Sequence, residues 1–146
     1  MTRFIGGPQD AGGAWRNLCL FTGAWAVQGF SNFLVIEKST GNWVGRAGPW
    51  QPTAWQGREI GWAFARAPWG KGYATEAAAR CLDWVFDELH WSEAIHVIHP
   101  DNQASIAVAK RLGSVIRSSN SQAPSDIYGI TRIQWRGVQK PTADEN

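Results

Sequence analysis

The sequence predicts an α/β (α+β) domain in which helices flank one mixed β-sheet. Stretches with helical spacing of apolar residues alternate with short β-rich stretches, and hairpin signals occur towards both ends of the chain. No repeat or low-complexity block divides the 146 residues. A hydrophobic content of 44% and a charged content of 18% are typical of a folded chain rather than a disordered one. We therefore expect a single domain over residues 1–146.

The first half of the chain is predicted to form a helix followed by three strands. Ser39–Asn42 has the composition of a hairpin turn, and Pro49 and Pro52 favour the end of a strand before the loop Gln51–Gly57. In order, the elements are a helix capped by Asp10 and continuing to about Gln28, and strands over Phe33–Lys38, Trp43–Trp50 and Arg58–Ala65.

The second half is predicted to alternate helices with strands. Pro100 ends one strand, and Gly113 ends the short helix that follows it. In order, the elements are a helix over Thr75–Leu89, a strand over Ala94–His99, a helix from Asp101 or Asn102 to Leu112, a strand over Val115–Arg117 and a long final strand over Ile127–Trp135. A frayed tail is expected over residues 136–146.

The turn Gly70-Lys-Gly72 leads directly from the third strand into the alanine-rich helix. Glycine allows positive φ and close approach of a ligand, and a helix start offers unpaired N–H groups and the positive end of the helix dipole. The turn is therefore a candidate phosphate site, although an ordinary strand–turn–helix connection accounts for the same residues. It lacks the Gly-Lys-Ser/Thr ending of a P-loop and the third glycine of a dinucleotide fingerprint.

Composition argues against several classes of function. The net charge is +2 and no Lys/Arg block suggests a nucleic-acid surface. No apolar run reaches the roughly 20 residues needed to span a membrane. The two cysteines, Cys19 and Cys81, are interpreted as reduced, buried thiols of a cytoplasmic protein. His96 and His99 lie three apart on a strand and point to opposite faces, so we expect no metal site.

Four motifs occur in a fixed order: Glu59-Ile-Gly-Trp, Trp69-Gly-Lys-Gly-Tyr-Ala-Thr-Glu-Ala77, His99-Pro-Asp-Asn-Gln-Ala-Ser105 and Ala109-Lys-Arg-Leu-Gly113. With them, the chain resembles the GNAT superfamily of acyl-CoA-dependent N-acetyltransferases over about residues 1–135. Within that superfamily it most resembles the branch typified by the ribosomal-protein N-terminal acetyltransferases. The resemblance implies a mostly antiparallel, twisted sheet flanked by helices, and direct attack of an amine on acetyl-CoA in a ternary complex.

The resemblance also implies which residues bind acetyl-CoA. The glycine turn and helix start would hold the pyrophosphate, and the third strand would bind the pantetheine arm through its backbone. Asn102 would bond a pantetheine amide, and Ser105 would lie near the sulfur. Lys71 pairs with phosphate or is a solvated loop lysine. The cofactor residues implied are Trp62, Ala63, Phe64, Trp69, Gly70, Lys71, Gly72, Tyr73, Ala74, Thr75, Asn102 and Ser105.

Glu59 is the candidate base that removes a proton from the amine, because a carboxylate in a partly apolar slot has a raised pKa. A solvated glutamate at the strand edge, paired with an arginine, is the alternative interpretation. The tyrosine that serves many family members as general acid would fall at Ala109, so Ser105, a water molecule or no acid at all must serve here.

Three expectations concern partners and rival functions. The family's first strand has no counterpart in the sequence, so we expect an open sheet edge that a second subunit covers. The acceptor is a small-molecule or peptide amine whose identity the sequence does not give. A CoA-binding domain without catalysis is the first alternative. A module that binds sugars or peptides through a row of exposed tryptophans is the second, since the chain has ten tryptophans.

Overall fold

The computed structural model of the chain describes residues 3–4, 6–119 and 124–139. Within them the helices and strands follow the predicted order up to the last strand, after which an additional helix is found. The helices are α1 (Ala11–Gln28), α2 (Tyr73–Asp87), α3 (Gln103–Arg111) and α4 (Arg132–Gln139). The strands are β1 (Phe33–Ile36), β2 (Trp43–Trp50), β3 (Glu59–Phe64), β4 (Glu93–Ile98), β5 (Val115–Ser118) and β6 (Asp126–Thr131).

The strands form one open, six-stranded sheet in the order β1-β2-β3-β4-β6-β5. Every neighbouring pair is antiparallel except β3 and β4, which are parallel. This confirms the predicted mixed, mostly antiparallel sheet with flanking helices. Strand β1 lies at one edge, and no strand precedes α1 among the described residues.

Helix α2 fixes the position of the glycine turn, because it is the helix most firmly anchored in the core. Its predicted apolar face is buried, with Leu82, Val85 and Phe86 each exposing no more than 1% of their surface. Burial of each such side chain contributes about 2 kcal/mol. The first turn of α2 is therefore held rigidly against β2 and β3, whose Ala47 and Ile60 belong to the same cluster.

Helix α1 differs from the prediction in its first half. Helical spacing places Trp15 and Leu18 on one apolar face with Trp25, but Trp15 and Leu18 are 66% and 58% exposed. The helix instead packs through its second half, where the Trp25 ring lies 5.1 Å from the ring of Phe33. Cys19, which shares the exposed half, is an exposed free thiol, so the prediction of a buried thiol is correct only for Cys81.

The end of the chain also corrects the prediction. The strand expected over Ile127–Trp135 ends at Thr131, and α4 occupies residues 132–139, including four residues predicted to fray. Thr131 and Gln134 form a capping box, in which the Thr131 N–H donates to Gln134 Oε1 at 2.9 Å and the Gln134 N–H donates to Thr131 Oγ1 at 3.2 Å. Residues 140–146 lie outside the described residues.

Candidate functional site

Strands β3 and β4 separate immediately after they meet. Their register holds a single pair, Glu59 with Ile95, and the Ile95 N–H donates to the carbonyl of Arg58 at 2.9 Å. Beyond that pair, the buried ring of His96 bonds the Ile60 carbonyl, with Nδ1 at 2.7 Å. A carbonyl only accepts, so Nδ1 is the donor, and burial lowers the pKa of His96 to about 4 and keeps the ring neutral. The strands thus enclose a wedge that opens towards the C-terminal end of β3.

The backbone of β3 presents polar groups to this wedge. The Ala65 N–H donates to Val44 of β2 at 2.9 Å. In an antiparallel ladder the paired positions recur at every second residue, so Ala63 also faces β2, whereas Trp62 and Phe64 direct their N–H and C=O groups towards the wedge. The Phe64 carbonyl accepts from the indole of Trp69 at 3.3 Å. The groups that remain for a ligand are those of Trp62 and the Phe64 N–H.

The glycine turn presents a second set of backbone groups. Gly70 and Gly72 have φ of 83° and 82°, and a Cβ atom at either position would meet no atom within 4 Å. Gly72 caps α2 without a side-chain hydrogen bond, and the first amide bonded within the helix is that of Glu76. Among the described residues, no protein acceptor is bonded to the amides of Gly70, Gly72, Tyr73, Ala74 and Thr75. This arrangement can bind an anion.

The side chain of Lys71 points away from these amides. Its ammonium lies 3.2 Å from the carboxylate of Glu37, in the hairpin between β1 and β2, and Glu37 also accepts from the hydroxyls of Tyr73 and Thr40. These side-chain hydrogen bonds lower the pKa of Glu37 to about 2. Lys71 remains 55% exposed, as a solvated loop lysine would be, but its ammonium pairs with Glu37. It ties the turn to the hairpin.

A cavity of about 990 Å³, here called the larger cavity, joins the wedge to the glycine turn. It contains every predicted cofactor residue except Lys71. The positive side chains that line it are Arg3, Arg66 and Arg111, none of which the sequence analysis singled out. The cavity thus provides backbone donors together with guanidinium groups, which suits a long ligand with several phosphates.

Asn102 and Ser105 stand at the far end of the larger cavity. The Asn102 side chain caps α3 by accepting from the Ser105 N–H at 3.2 Å, as an ordinary N-cap does. The Oγ atom of Ser105 bonds no described residue, and both side chains are half-buried on the cavity wall. Ala109, where a family tyrosine would stand, is completely buried.

A second cavity of about 510 Å³, the smaller cavity, adjoins the larger one and shares with it the residues Phe4, Trp62, Asn102 and Ser105. Glu59 lines the smaller cavity, with its carboxylate folded over Gly61: Oε1 is 3.5 Å from the position that a Cβ of Gly61 would occupy. Burial raises the pKa of Glu59 to about 7, although hydrogen bonds from Trp55 and the Val97 backbone act in the opposite direction. A carboxylate with this pKa can take up and release a proton near neutral pH.

Four side chains that line the smaller cavity with Glu59 were missed by the sequence analysis. Trp55 donates its indole N–H to Glu59 Oε2 at 2.6 Å, and Arg46 donates to Asn32 Oδ1 at 2.5 Å. The Arg46 guanidinium also lies 4.7 Å from the ring centre of Phe21, which brings α1 over the cavity. No sequence motif connects these residues, because only the strand register and the docking of α1 bring them together.

The described residues also bear on the other expected functions. No group of three or more His, Cys, Asp or Glu residues within them could hold a metal ion. No helix in this part of the chain is both long and apolar enough to cross a membrane. Four exposed tryptophans lie on four separate segments, and Trp55 and Trp69 among them line the two cavities. The row of exposed tryptophans that a sugar- or peptide-binding module requires is therefore not found.

Comparison with protein families identifies residues 1–115 as matching the model described as Acetyltransferase (GNAT) domain. The chain is 42% identical over 87 residues to the uncharacterized protein YkkB of Bacillus subtilis. The aligned region covers 58% of this chain and 51% of YkkB. It is 33% identical over 89 residues to the uncharacterized N-acetyltransferase p20 of Bacillus licheniformis. Here the aligned region covers 60% of this chain and 50% of p20. The chain thus spans about half the length of the curated relatives it matches.

The fold has a close counterpart among solved structures. An acetyltransferase from Agrobacterium tumefaciens superposes with a TM-score of 0.81 at 27% identity, over 90% of this chain and 78% of that one. The similarity extends well beyond residue 115, where the family match ends. The sheet and its flanking helices therefore belong to a shared fold.

Proposed function

The chain belongs to the acetyltransferase (GNAT) domain family, and on that premise we propose that it moves an acetyl group from acetyl-CoA to an amine by direct attack in a ternary complex. GNAT acetyltransferases use acetyl-CoA as the acetyl donor. The observation that carries the proposal is the row of unbonded amides at Gly70 and Gly72–Thr75, at one end of the larger cavity, with the junction to the smaller cavity at the other.

The residues of the larger cavity fit acetyl-CoA in kind and in order. The amides and Arg66 would hold the diphosphate, since both donate hydrogen bonds to anionic oxygens. The backbone groups of Trp62 and the side chain of Asn102 would bind the pantetheine arm. The thioester would then reach Ser105, where the two cavities meet.

Glu59 supplies the base. In its ionised form it accepts a proton from the amine, and the nitrogen lone pair forms a bond to the thioester carbonyl carbon. The Trp62 N–H, directed into the wedge, stabilises the charge that develops on the carbonyl oxygen. The carbon–sulfur bond then breaks, and the sulfur takes up a proton from the Ser105 hydroxyl, which regains a proton from water. Glu59 releases its proton to solvent, so a neutral amine and acetyl-CoA give an amide and free CoA, with one proton leaving nitrogen and one reaching sulfur.

Two measurements test this proposal. Calorimetric titration with acetyl-CoA is expected to show binding, and release of free thiol is expected when an amine panel is added. Absence of binding heat at high micromolar acetyl-CoA would show that the larger cavity is not an acetyl-CoA site. Binding without thiol release for any amine would instead identify a CoA-binding domain without catalysis.

The outer edge of β1 supports a further proposal, that two copies of the chain form a dimer. Its backbone groups on the outer side lack a partner strand among the described residues, and Leu34 on this strand is 73% exposed. An open edge of this kind favours pairing with another strand. Sedimentation equilibrium is expected to give twice the mass of the chain, and Leu34→Lys is expected to shift it to the monomer. A wild-type monomer at millimolar concentration excludes the dimer.

The family is established, whereas two finer predictions remain proposals. The first is the branch typified by ribosomal-protein N-terminal acetyltransferases. The second is a cytoplasmic location, which the exposed free thiol of Cys19 supports, because exposed thiols persist in a reducing compartment. In intact cells, a membrane-permeant thiol reagent is expected to label Cys19, and an impermeant reagent is expected to leave it unlabelled.

A further inference from the structure

The smaller cavity contains one acidic and one fully basic side chain, and both come from a single face of the sheet. Arg46 pairs with Ala63 in the β2–β3 register, and the Gly48–Gly61 pair lies between it and Glu59. Because paired residues of an antiparallel ladder share a face, Arg46 and Glu59 stand at two ends of a floor made of small residues. The carboxylate of Glu59 lies over Gly61. Along the strand, Gly61 is about 7 Å from Ala63, the residue that pairs with Arg46.

Arg46 is held in place but is not saturated. The described residues account for one of its five N–H donors, which bonds Asn32, and its guanidinium stacks on Phe21. Glu59 is the negative charge that acts on Arg46 through the cavity, although no direct ion pair joins the two side chains among the described residues. When Glu59 takes the proton of the amine it becomes neutral, and Arg46 is a half-buried charge with no counter-charge in the smaller cavity unless the acceptor itself brings an anion.

On the premise of the acetyl transfer proposed above, we propose that the acceptor is an α-amino acid with an apolar side chain, whose carboxylate is bound by Arg46. The amino group of such an acceptor faces Glu59, and its carboxylate, next to the amine, reaches the guanidinium. A guanidinium with unbonded N–H donors on a cavity wall is the side chain that binds a carboxylate most strongly. The apolar side chain lies against the aromatic wall formed by Phe21, Trp50 and Trp55.

Two other classes of amine fit the smaller cavity less well. A polyamine carries further positive charges, and among the described lining residues it would find only Glu59 to pair with them and Arg46 to repel them. A peptide N-terminus has an amide carbonyl where the amino acid has its carboxylate, so it forfeits the charged pair with Arg46. The difference between a charged and a neutral acceptor at such a donor is roughly 10- to 100-fold in binding.

The experiment compares L-phenylalanine with L-phenylalaninamide as acceptors, at saturating acetyl-CoA, with spermidine and a Phe-Ala-Ala peptide as further arms. The wild-type protein is expected to prefer the free acid roughly 10- to 100-fold in kcat/KM. Arg46→Gln is expected to remove that preference, and calorimetric binding of acetyl-CoA, whose cavity Arg46 does not line, shows that the variant is folded. Arg80→Gln removes the same charge from an exposed position on α2 outside both cavities and is expected to keep the preference.

A second readout does not depend on turnover: calorimetric binding of N-acetyl-L-phenylalanine and its amide to the protein saturated with CoA. If no amine is acetylated, the proposed function fails, and an Arg46-dependent preference for the acid in this titration still supports carboxylate recognition. Equal binding of the two compounds overturns it. It is also overturned if the amide, the peptide or spermidine is as good an acceptor as the free acid, or if the preference survives Arg46→Gln.

Discussion

The larger and smaller cavities meet at Trp62, but they are built from different parts of the chain. The backbone donors of the larger cavity come from one contiguous segment, residues 69–75, and from β3, while α3 and three arginine side chains complete its wall. The smaller cavity depends on side chains from α1, β2, β3, β4 and the loop after β2, which are far apart in the sequence. A ligand that is the same for every member of a family can be held by the backbone, whereas an acceptor that varies requires side chains.

This contrast has a consequence for mutation. Backbone donors are lost only when the local conformation or the space before them changes, so few substitutions in the larger cavity should matter, and those few should matter greatly. Side chains of the smaller cavity can be removed one at a time, and each removal should alter the rate, the acceptor or the pH profile without abolishing acetyl-CoA binding. The predictions below separate the two cavities on this basis.

The largest effect is expected for Gly72→Glu. The residue would need an unfavourable positive φ and would place a negative charge before the unbonded amides. Acetyl-CoA affinity, measured by calorimetry, is expected to fall by roughly 100-fold or more. Gly29→Glu is the control: Gly29 has φ 77°, a Cβ there meets nothing within 4 Å, and it lines neither cavity. Normal binding by Gly72→Glu would show that the diphosphate does not lie at this turn.

Glu59→Gln is expected to have the next largest effect, and to act on the smaller cavity alone. Loss of the base should lower kcat by roughly 100-fold or more. Acetyl-CoA affinity should stay within about twofold of wild type, because Glu59 does not line the larger cavity. Glu93→Gln, at an exposed position that begins β4, serves as the control. A fall in affinity equal to the fall in kcat would place Glu59 in cofactor binding instead.

The pH profile gives a subtler test of the same cavity. A base must be deprotonated to act, and the pKa of Glu59 is raised to about 7, so kcat/KM should rise with pH through this region. The indole N–H of Trp55 stabilises the charged carboxylate, so Trp55→Phe should raise this pKa and move the inflection to higher pH. Trp43→Phe, at an exposed position outside both cavities, should leave the profile in place. An unshifted inflection in Trp55→Phe would assign the titration to another group.

The smallest effect is expected for Glu37→Gln, which releases Lys71 and Tyr73 from the hairpin. Because the folded state lowers the pKa of Glu37 from 4.5 to about 2, the carboxylate stabilises the fold above pH 4.5 and loses this contribution as the pH falls through about 2. The variant should therefore melt slightly below wild type at pH 7, and the difference should vanish near pH 2. Equal melting temperatures at pH 7 would show that the ion pair contributes nothing.

The fold could be predicted almost entirely from the sequence, and its one lost element is instructive. The segment Thr131-Arg-Ile-Gln134 carries a capping-box signal, but the alternating apolar residues around it favoured a strand. Helix α4 is stabilised by packing against α2, where the buried Trp135 donates its indole N–H to Asp83 Oδ1 at 2.9 Å. The exposed half of α1 shows a different limit of sequence-based prediction. Periodicity predicts that a helix has an apolar face, but it does not predict whether another element covers that face.

The sequence by itself determined the order of helices and strands up to β6, the family, and the backbone donors at the start of α2. These features are local: a glycine pair, a helix start and the alternation of a strand fix where N–H groups point, whatever lies elsewhere in the chain. Only the tertiary structure decided that Lys71 turns to Glu37, that Trp55 bonds Glu59, and that Arg46 stands over the same glycine floor. Such contacts join residues from separate segments, and their energies depend on burial and on distances that no short stretch of sequence contains.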